Sequence, residues 1–158
     1  MGRLAAVCEE LGYADVWTYV NSGNVVFDTT GARGAVEAAM EKALEAEFGF
    51  ECTTFVRTAA QLRQVLDAEP FTLAPGDTHF VTFLKEAPAP GDAKALEALS
   101  NDFETLEVHG ADVHWHMRGK STDSRLTRRD WEKVLGPLSS TSRNVTMLTR
   151  LVAKIDAA

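Results

Sequence analysis

Cysteine is scarce in this chain: Cys8 and Cys52 are the only two in 158 residues, and no CxxC pair occurs. That excludes a disulfide-stapled scaffold, a zinc ribbon and a thioredoxin-like redox centre, and reads as two reduced, buried thiols. Long apolar runs are also missing. No stretch approaches the roughly 20 apolar residues of a membrane helix. The acidic opening MGRLAAVCEELG has too short an apolar run for a signal peptide. A cytoplasmic location and no membrane partner are therefore expected. GxSxG, HExxH, Walker and GxGxxG patterns are absent too, and no serine or histidine stands in a recognisable nucleophile–base pair. The sequence names no catalytic residue and no cofactor.

What is present is an ordinary globular composition, 45% hydrophobic and 25% charged, long enough to bury a core without metals or cross-links. The net charge of −7 is unevenly spread. Residues 1–110 hold 7 basic and 18 acidic side chains, residues 111–158 hold 9 and 5. A basic segment can mark an anion site or a nucleic-acid footprint. A duplex-DNA binder held by phosphate neutralisation is usually more basic, so a solvated or docked surface is the favoured reading.

Leu4, Val7, Cys8 and Leu11 follow helical spacing up to Gly12. Val16–Val20 and Val25–Phe27 are β-rich and flank Asn21-Ser22-Gly23-Asn24, which predicts a tight hairpin with Val20 opposite Val25 and Thr18 opposite Phe27. Val16, Val20, Val25 and Phe27 then share one face, Trp17, Tyr19 and Val26 the other. A helix through Val36, Met40, Leu44 and Phe48 stops at Gly49, and a strand is expected at Cys52–Val56. Thr58 and Gln61 predict a capping box for a helix ending before Pro70.

Thr78–Leu84 is apolar on both faces, as in a central strand. Asp92 is expected to cap a short helix with Leu96 and Leu99. A hairpin around Gly110-Ala111 sets Leu106 against Trp115 and Val108 against Val113, with Glu107 against His114 and Thr105 against His116 on the other, exposed face. A helix over 123–135 and a last helix opened by Thr141-Ser142 complete the reading. The order predicts an α+β fold of two ferredoxin-like halves with antiparallel sheets, plus C-terminal helices. The expected organisation is a first half over 1–57, a linking helix over 58–72, a second half over 73–136 and a C-terminal helix over 137–158. The first half lacks its first strand, which in that plan is central.

Thr18-Tyr19-Val20-Asn21-Ser22-Gly23-Asn24-Val25-Val26-Phe27 resembles the mostly bacterial, uncharacterised family called domain of unknown function 1697. Phe48-Gly49, Val56-Arg57-Thr58, Glu69-Pro70-Phe71, Ser124-Arg125-Leu126, Leu135-Gly136 and Thr141-Ser142-Arg143-Asn144 follow in the same order. The resemblance implies a paired ferredoxin-like architecture with no established activity. Family members begin with an apolar strand and a glycine-containing loop, and this chain starts just after them. The family's Trp after Arg-Asn, and a Thr two residues beyond, are here Val145 and Met147.

The leading functional expectation is a module that binds a small anion or a protein partner near Ser22, Gly23, Asn24, Arg125, Thr141, Arg143 and Asn144. A compact Gly turn presents amides, and a helix start with an Arg presents donors to an anion. Turn geometry and helix capping explain the same residues without a ligand. The alternative is single-stranded nucleic-acid binding through Trp17, Tyr19, Arg118, Arg128 and Arg129, by stacking and phosphate contact; hairpin packing competes with it. A third reading completes the sheet with another chain, giving a homodimer. His114 and His116 stand at i, i+2 beside Glu107 with no fourth ligand, so no metal is expected.

Overall fold

The computed structural model of the protein describes residues 2–19, 23–137 and 139–157. The chain divides into two units, Met1–Arg57 and Thr58–Ala158.

In the first unit the predicted apolar stripes form α1 (Gly2–Glu10) and α2 (Arg33–Phe48). Gly49 ends α2 at φ 78°, a left-handed conformation that costs a residue without Cβ little, and its N–H returns to the Glu45 carbonyl. β1 (Ala14–Tyr19) and β2 (Asn24–Asp28) pair antiparallel, with Thr18 opposite Val25 and Tyr19 opposite Asn24. The predicted register is therefore off by two. The Asn24 side chain donates to the Tyr19 carbonyl at 3.1 Å, and Val20, Asn21 and Ser22, on which the predicted turn falls, lie outside the described residues. A shift of two leaves side chains on their predicted faces, since the strand period is two. Val16, Val25 and Phe27 pack on the core of Val7, Cys8, Val36, Met40 and Leu44.

Among the described residues the strand expected at Cys52–Val56 forms no ladder. Cys52 and Val56 still pack on the same core. The reason for the missing ladder lies in α2. The Thr54 amide donates to the Glu41 carboxylate and the Val56 amide to the Glu37 carboxylate, each at 2.8 Å. Four residues of helix rise about 6 Å, close to the roughly 6.6 Å between alternate residues of an extended chain. Two glutamates one helical turn apart therefore match alternate amides and take the place of strand carbonyls.

In the second unit α3 (Ala59–Ala68) opens with the predicted capping box: Gln61 N–H donates to Thr58 Oγ1 at 3.1 Å, and Thr58 N–H to Gln61 Oε1 at 2.8 Å. Then come β3 (Thr78–Leu84), α4 (Pro90–Glu97), β4 (Glu104–His109), β5 (Asp112–Met117), a 3-10 turn at Ser121–Asp123, α5 (Arg128–Leu135), β6 (Ser140–Asn144) and α6 (Val145–Ala157). The sheet order is β4-β5-β3-β6, antiparallel throughout. With chain order βαββαβ, this is the complete ferredoxin-like plan. The β4–β5 register is the predicted one, Leu106 to Trp115 and Val108 to Val113.

Three expectations change here. The helix read over 123–135 starts at Arg128, where Thr127 and Asp130 cap it. Thr141-Ser142 does not open a helix: it lies in β6, because the free edge of β3 recruits Ser140–Asn144 as a fourth strand. Pro90, rather than Asp92, begins α4, since proline suits the first helical position.

One face of this sheet carries Leu84, Leu106 and Val113 under Leu96 of α4 and Trp131 of α5. The opposite face, with Val81 and Phe83, lies under α6, which packs beside α3.

Candidate functional site

Strand alternation decides which side chains of the Thr141–Asn144 motif can act together. Ser140 pairs with Leu84, Ser142 with Thr82 and Asn144 with Phe80, so these three belong to the face that carries Trp115 and Trp131. Thr141 and Arg143 pair with Phe83 and Val81 and belong to the other face. The expected cluster is therefore split across the sheet. Arg143 donates through Nη1 to Thr141 Oγ1 at 2.6 Å and to the Ser142 carbonyl at 2.9 Å, and burial lowers its pKa. Asn144 Oδ1 accepts from the Thr146 amide at 2.8 Å, capping α6.

Ser124-Arg125-Leu126 has a structural task. Glu104 is fully buried and accepts four hydrogen bonds, from the Ser124 hydroxyl, the Arg125 amide at 2.9 Å, Trp115 Nε1 at 3.0 Å and Asn101 Nδ2 at 3.0 Å. Burial opposes ionisation, but the bonds from Ser124, Asn101, Arg125 and Trp115 outweigh it and hold the carboxyl below its usual range. Arg125 contributes its backbone here and its side chain stays exposed.

In the first unit Gly23 has φ 80°, which favours glycine, and Asn24 opens β2. Ser22 lies outside the described residues. Trp17 and Tyr19 are half-buried on the face away from the helices, with ring centroids 6.5 Å apart, edge to face. Arg118 is held by Thr105 Oγ1 at 3.0 Å, and Arg129 is exposed on α5.

His114 and His116 share one sheet face with His79 and His109, so all four histidines of the chain stand together. His114 and His116, expected on an exposed face, are in fact buried, and Phe71 lies over this face with its ring centroid 5.3 Å from His79 and 5.1 Å from His116. His79 Nε2 and His114 Nδ1 are 2.9 Å apart, and His116 bonds Asp77 at 2.8 Å. Burial, more than the neighbouring histidines, pushes His79 and His114 each down to about 4. Among the described residues no group of three such side chains is placed to hold a metal ion.

A concavity that gathers side chains from separate segments lies between α5 and β6. It has a volume of about 380 Å³. Its floor is Trp115 and Trp131, with ring centroids 5.3 Å apart, inclined at 58°. Arg128 and Glu132, one turn apart on α5, stand on one side and Ser139–Ser142 on the other. Of the residues singled out from sequence, it contains Arg128 and Thr141. Trp115 and Trp131 read as core from their spacing, and polar Ser139–Ser142 carried no strand pattern, so sequence reasoning missed most of it.

Comparison with known proteins adds a family and a fold. The family described as "Protein of unknown function (DUF1697)" matches over residues 1–114. The solved structure of the conserved bacterial protein SP0830 from Streptococcus pneumoniae is similar, with a TM-score of 0.66 at 15% sequence identity, over 99% of this chain and 88% of that one. At that identity the likeness concerns the fold alone. No curated protein matches the chain. Every residue lining the cleft lies beyond the stretch that the family matches.

Proposed function

The chain belongs to the DUF1697 family of proteins of unknown function, and from that premise we propose a small-ligand binding module whose ligand sits between α5 and β6. The family supplies no activity, so the reading rests on the cleft itself. The observation that carries it is the convergence of two indoles, an Arg–Glu pair and a run of hydroxyl residues on one opening of about 380 Å³. Small-molecule sites combine apolar walls with a few placed polar groups, at volumes from roughly 300 Å³ upward. The Arg143 guanidinium, expected to hold an anion, donates through Nη1 to its own strand, and the cleft gathers more side chains than that strand does.

The test is a screen of soluble aromatic and polyhydroxylated fragments by amide chemical shifts. The expected hits move amides of 126–132 and 139–142 and weaken in Arg128→Ala. Hits confined to other surfaces, or none at millimolar concentration, overturn the reading.

A second reading concerns the first unit and is supported by the β2 edge. Among the described residues β2 has a ladder partner on one side only. Its sequence Asn24-Val25-Val26-Phe27-Asp28 carries no Lys or Pro, the residues that protect exposed edges. Antiparallel pairing with a second copy about Val26 sets Val25 against Phe27 twice and continues the apolar face. This strand addition yields a two-fold dimer, measured as a doubled mass in solution.

A further inference from the structure

We infer that the ligand of the α5–β6 cleft is a neutral saccharide ring rather than a phosphate-bearing or other charged molecule. The inference rests on the reading of that cleft as a ligand site and narrows it to a chemical class.

Charge comes first. The lining contains one cation, Arg128, and one anion, Glu132. The start of α5 beside them supplies no surplus positive field, because the Asp130 carboxylate accepts from the Thr127 amide at 2.7 Å and from its hydroxyl. A phosphate here would face a balanced pair and an occupied helix start, without the excess donors that phosphate sites use. A neutral polyol suits the pair: a guanidinium donates to sugar oxygens and a carboxylate accepts from sugar hydroxyls.

Shape and order come second. Trp131 is buried and backs the cleft, while Trp115 keeps part of its ring open. The Trp115 ring is fixed on several sides. Its Nε1–H donates to Glu104 at 3.0 Å, Phe80 meets it edge-on at 5.8 Å, and Trp131 lies 5.3 Å away. The part of this fixed indole that stays accessible is a rigid apolar surface, against which a pyranose ring can set its C–H face. Because the indole N–H is spent on Glu104, the platform offers apolar surface and no donor.

The hydroxyl wall is ordered as well. Ser142 Oγ lies 2.7 Å from Thr82 Oγ1, and Ser139 donates to the Gly136 carbonyl. Ser140 and Ser142 share the indole face, so two hydroxyls two residues apart stand beside the ring platform. A hydroxyl accepts and donates at once, so such a wall pairs with a ligand whose rim is itself hydroxyl, and it costs little ordering entropy because Ser142 is already fixed. An apolar floor with a hydroxyl, guanidinium and carboxylate rim is complementary to a ring with one apolar face and a hydroxylated edge.

The experiment titrates methyl β-glucoside, cellobiose, maltose and galactose into the protein, with AMP as the charged contrast, and follows backbone amides together with the Trp115 indole N–H. The expected result is a saturable response of that indole and of Ser140–Ser142 to at least one neutral saccharide, with a dissociation constant in the millimolar range or tighter. Arg128→Ala and Glu132→Gln should each weaken it at least tenfold. Arg128 is exposed and Glu132 is half-exposed, so both variants are expected to keep the wild-type amide spectrum elsewhere. AMP should bind more weakly than the best saccharide. Absence of saturation with all four saccharides overturns the inference, as does tighter binding of AMP or unchanged saccharide affinity in both variants. If the fragment screen marks the cleft while the saccharides fail, the ligand class is wrong and the binding site stands. If neither marks it, both fall.

Discussion

At the scale of single residues, the second unit spends two buried polar groups in opposite ways. Glu104 is kept charged by four donors, so removing its charge would leave those donors competing for one acceptor. His79 and His114 are kept neutral, because burial penalises the charged ring and their nitrogens face each other at 2.9 Å. This pair gives a pH prediction. Both rings stay neutral in the folded protein down to about pH 4, whereas in the unfolded chain they protonate near their ordinary value of 6.5. Between those values the unfolded chain holds more protons, so stability falls as pH is lowered from 6.5 toward 4 and levels off below. Each ring contributes a slope of at most about 1.4 kcal/mol per pH unit. Urea midpoints at pH 7, 5.5 and 4.5 should decline in that order, and less steeply in His79→Gln. A midpoint constant across that range would show that the rings titrate alike in both states.

At the scale of elements, the informative segment is the one that should have been a strand. Residues 52–56 keep the apolar pattern of a strand and pack on the first unit's core, yet their amides turn to α2. Glu41 accepts from the Thr54 amide and Glu37 from the Val56 amide, which makes their roles separable by exchange. In Glu41→Ala the Thr54 amide should exchange with solvent at least tenfold faster while Val56, held by Glu37, remains protected. Equal rates at Thr54 before and after would mean that the carboxylate carries no part of its protection. The contrast with β6 is instructive. Ser140–Asn144 has no apolar alternation at all, yet it is a strand because β3 offers it a ladder. Strand formation follows the availability of a partner edge more closely than the pattern of the segment itself.

At the scale of the whole molecule, the sequence is acidic through residue 110 and basic beyond it, and each unit has its own set of packed elements. Pairing of two copies at β2 is the proposal that belongs here. At tens of micromolar the protein should sediment at twice its 17.2 kDa chain mass. Val26→Lys, which puts a charge at the centre of the two-fold contact, should give a monomer with an unchanged circular-dichroism spectrum. A wild-type monomer up to millimolar concentration would remove strand pairing as an assembly route. In the basic C-terminal segment Arg118 donates to Thr105, Arg128 lines the cleft, and the Arg125 amide donates to Glu104.

Much of the architecture was legible without coordinates because it depends on terms that act over a few residues. Helical apolar spacing located α1 and α2, the Thr58–Gln61 box located the start of α3, and Gly110-Ala111 fixed the register of β4 on β5. The α+β class and the ferredoxin-like order of the second unit up to α5 followed from that element order, whereas β6 was read as the start of a helix. The cleft was not legible, since its indoles, its Arg–Glu pair and its hydroxyls come from segments that only the sheet order and the seating of α5 bring together. The burial of His114 and His116 likewise needed Phe71 to close over them. Local propensity and capping energies are written along the chain, whereas sheet edges, buried charges and cavities are decided by which distant surfaces exclude water together.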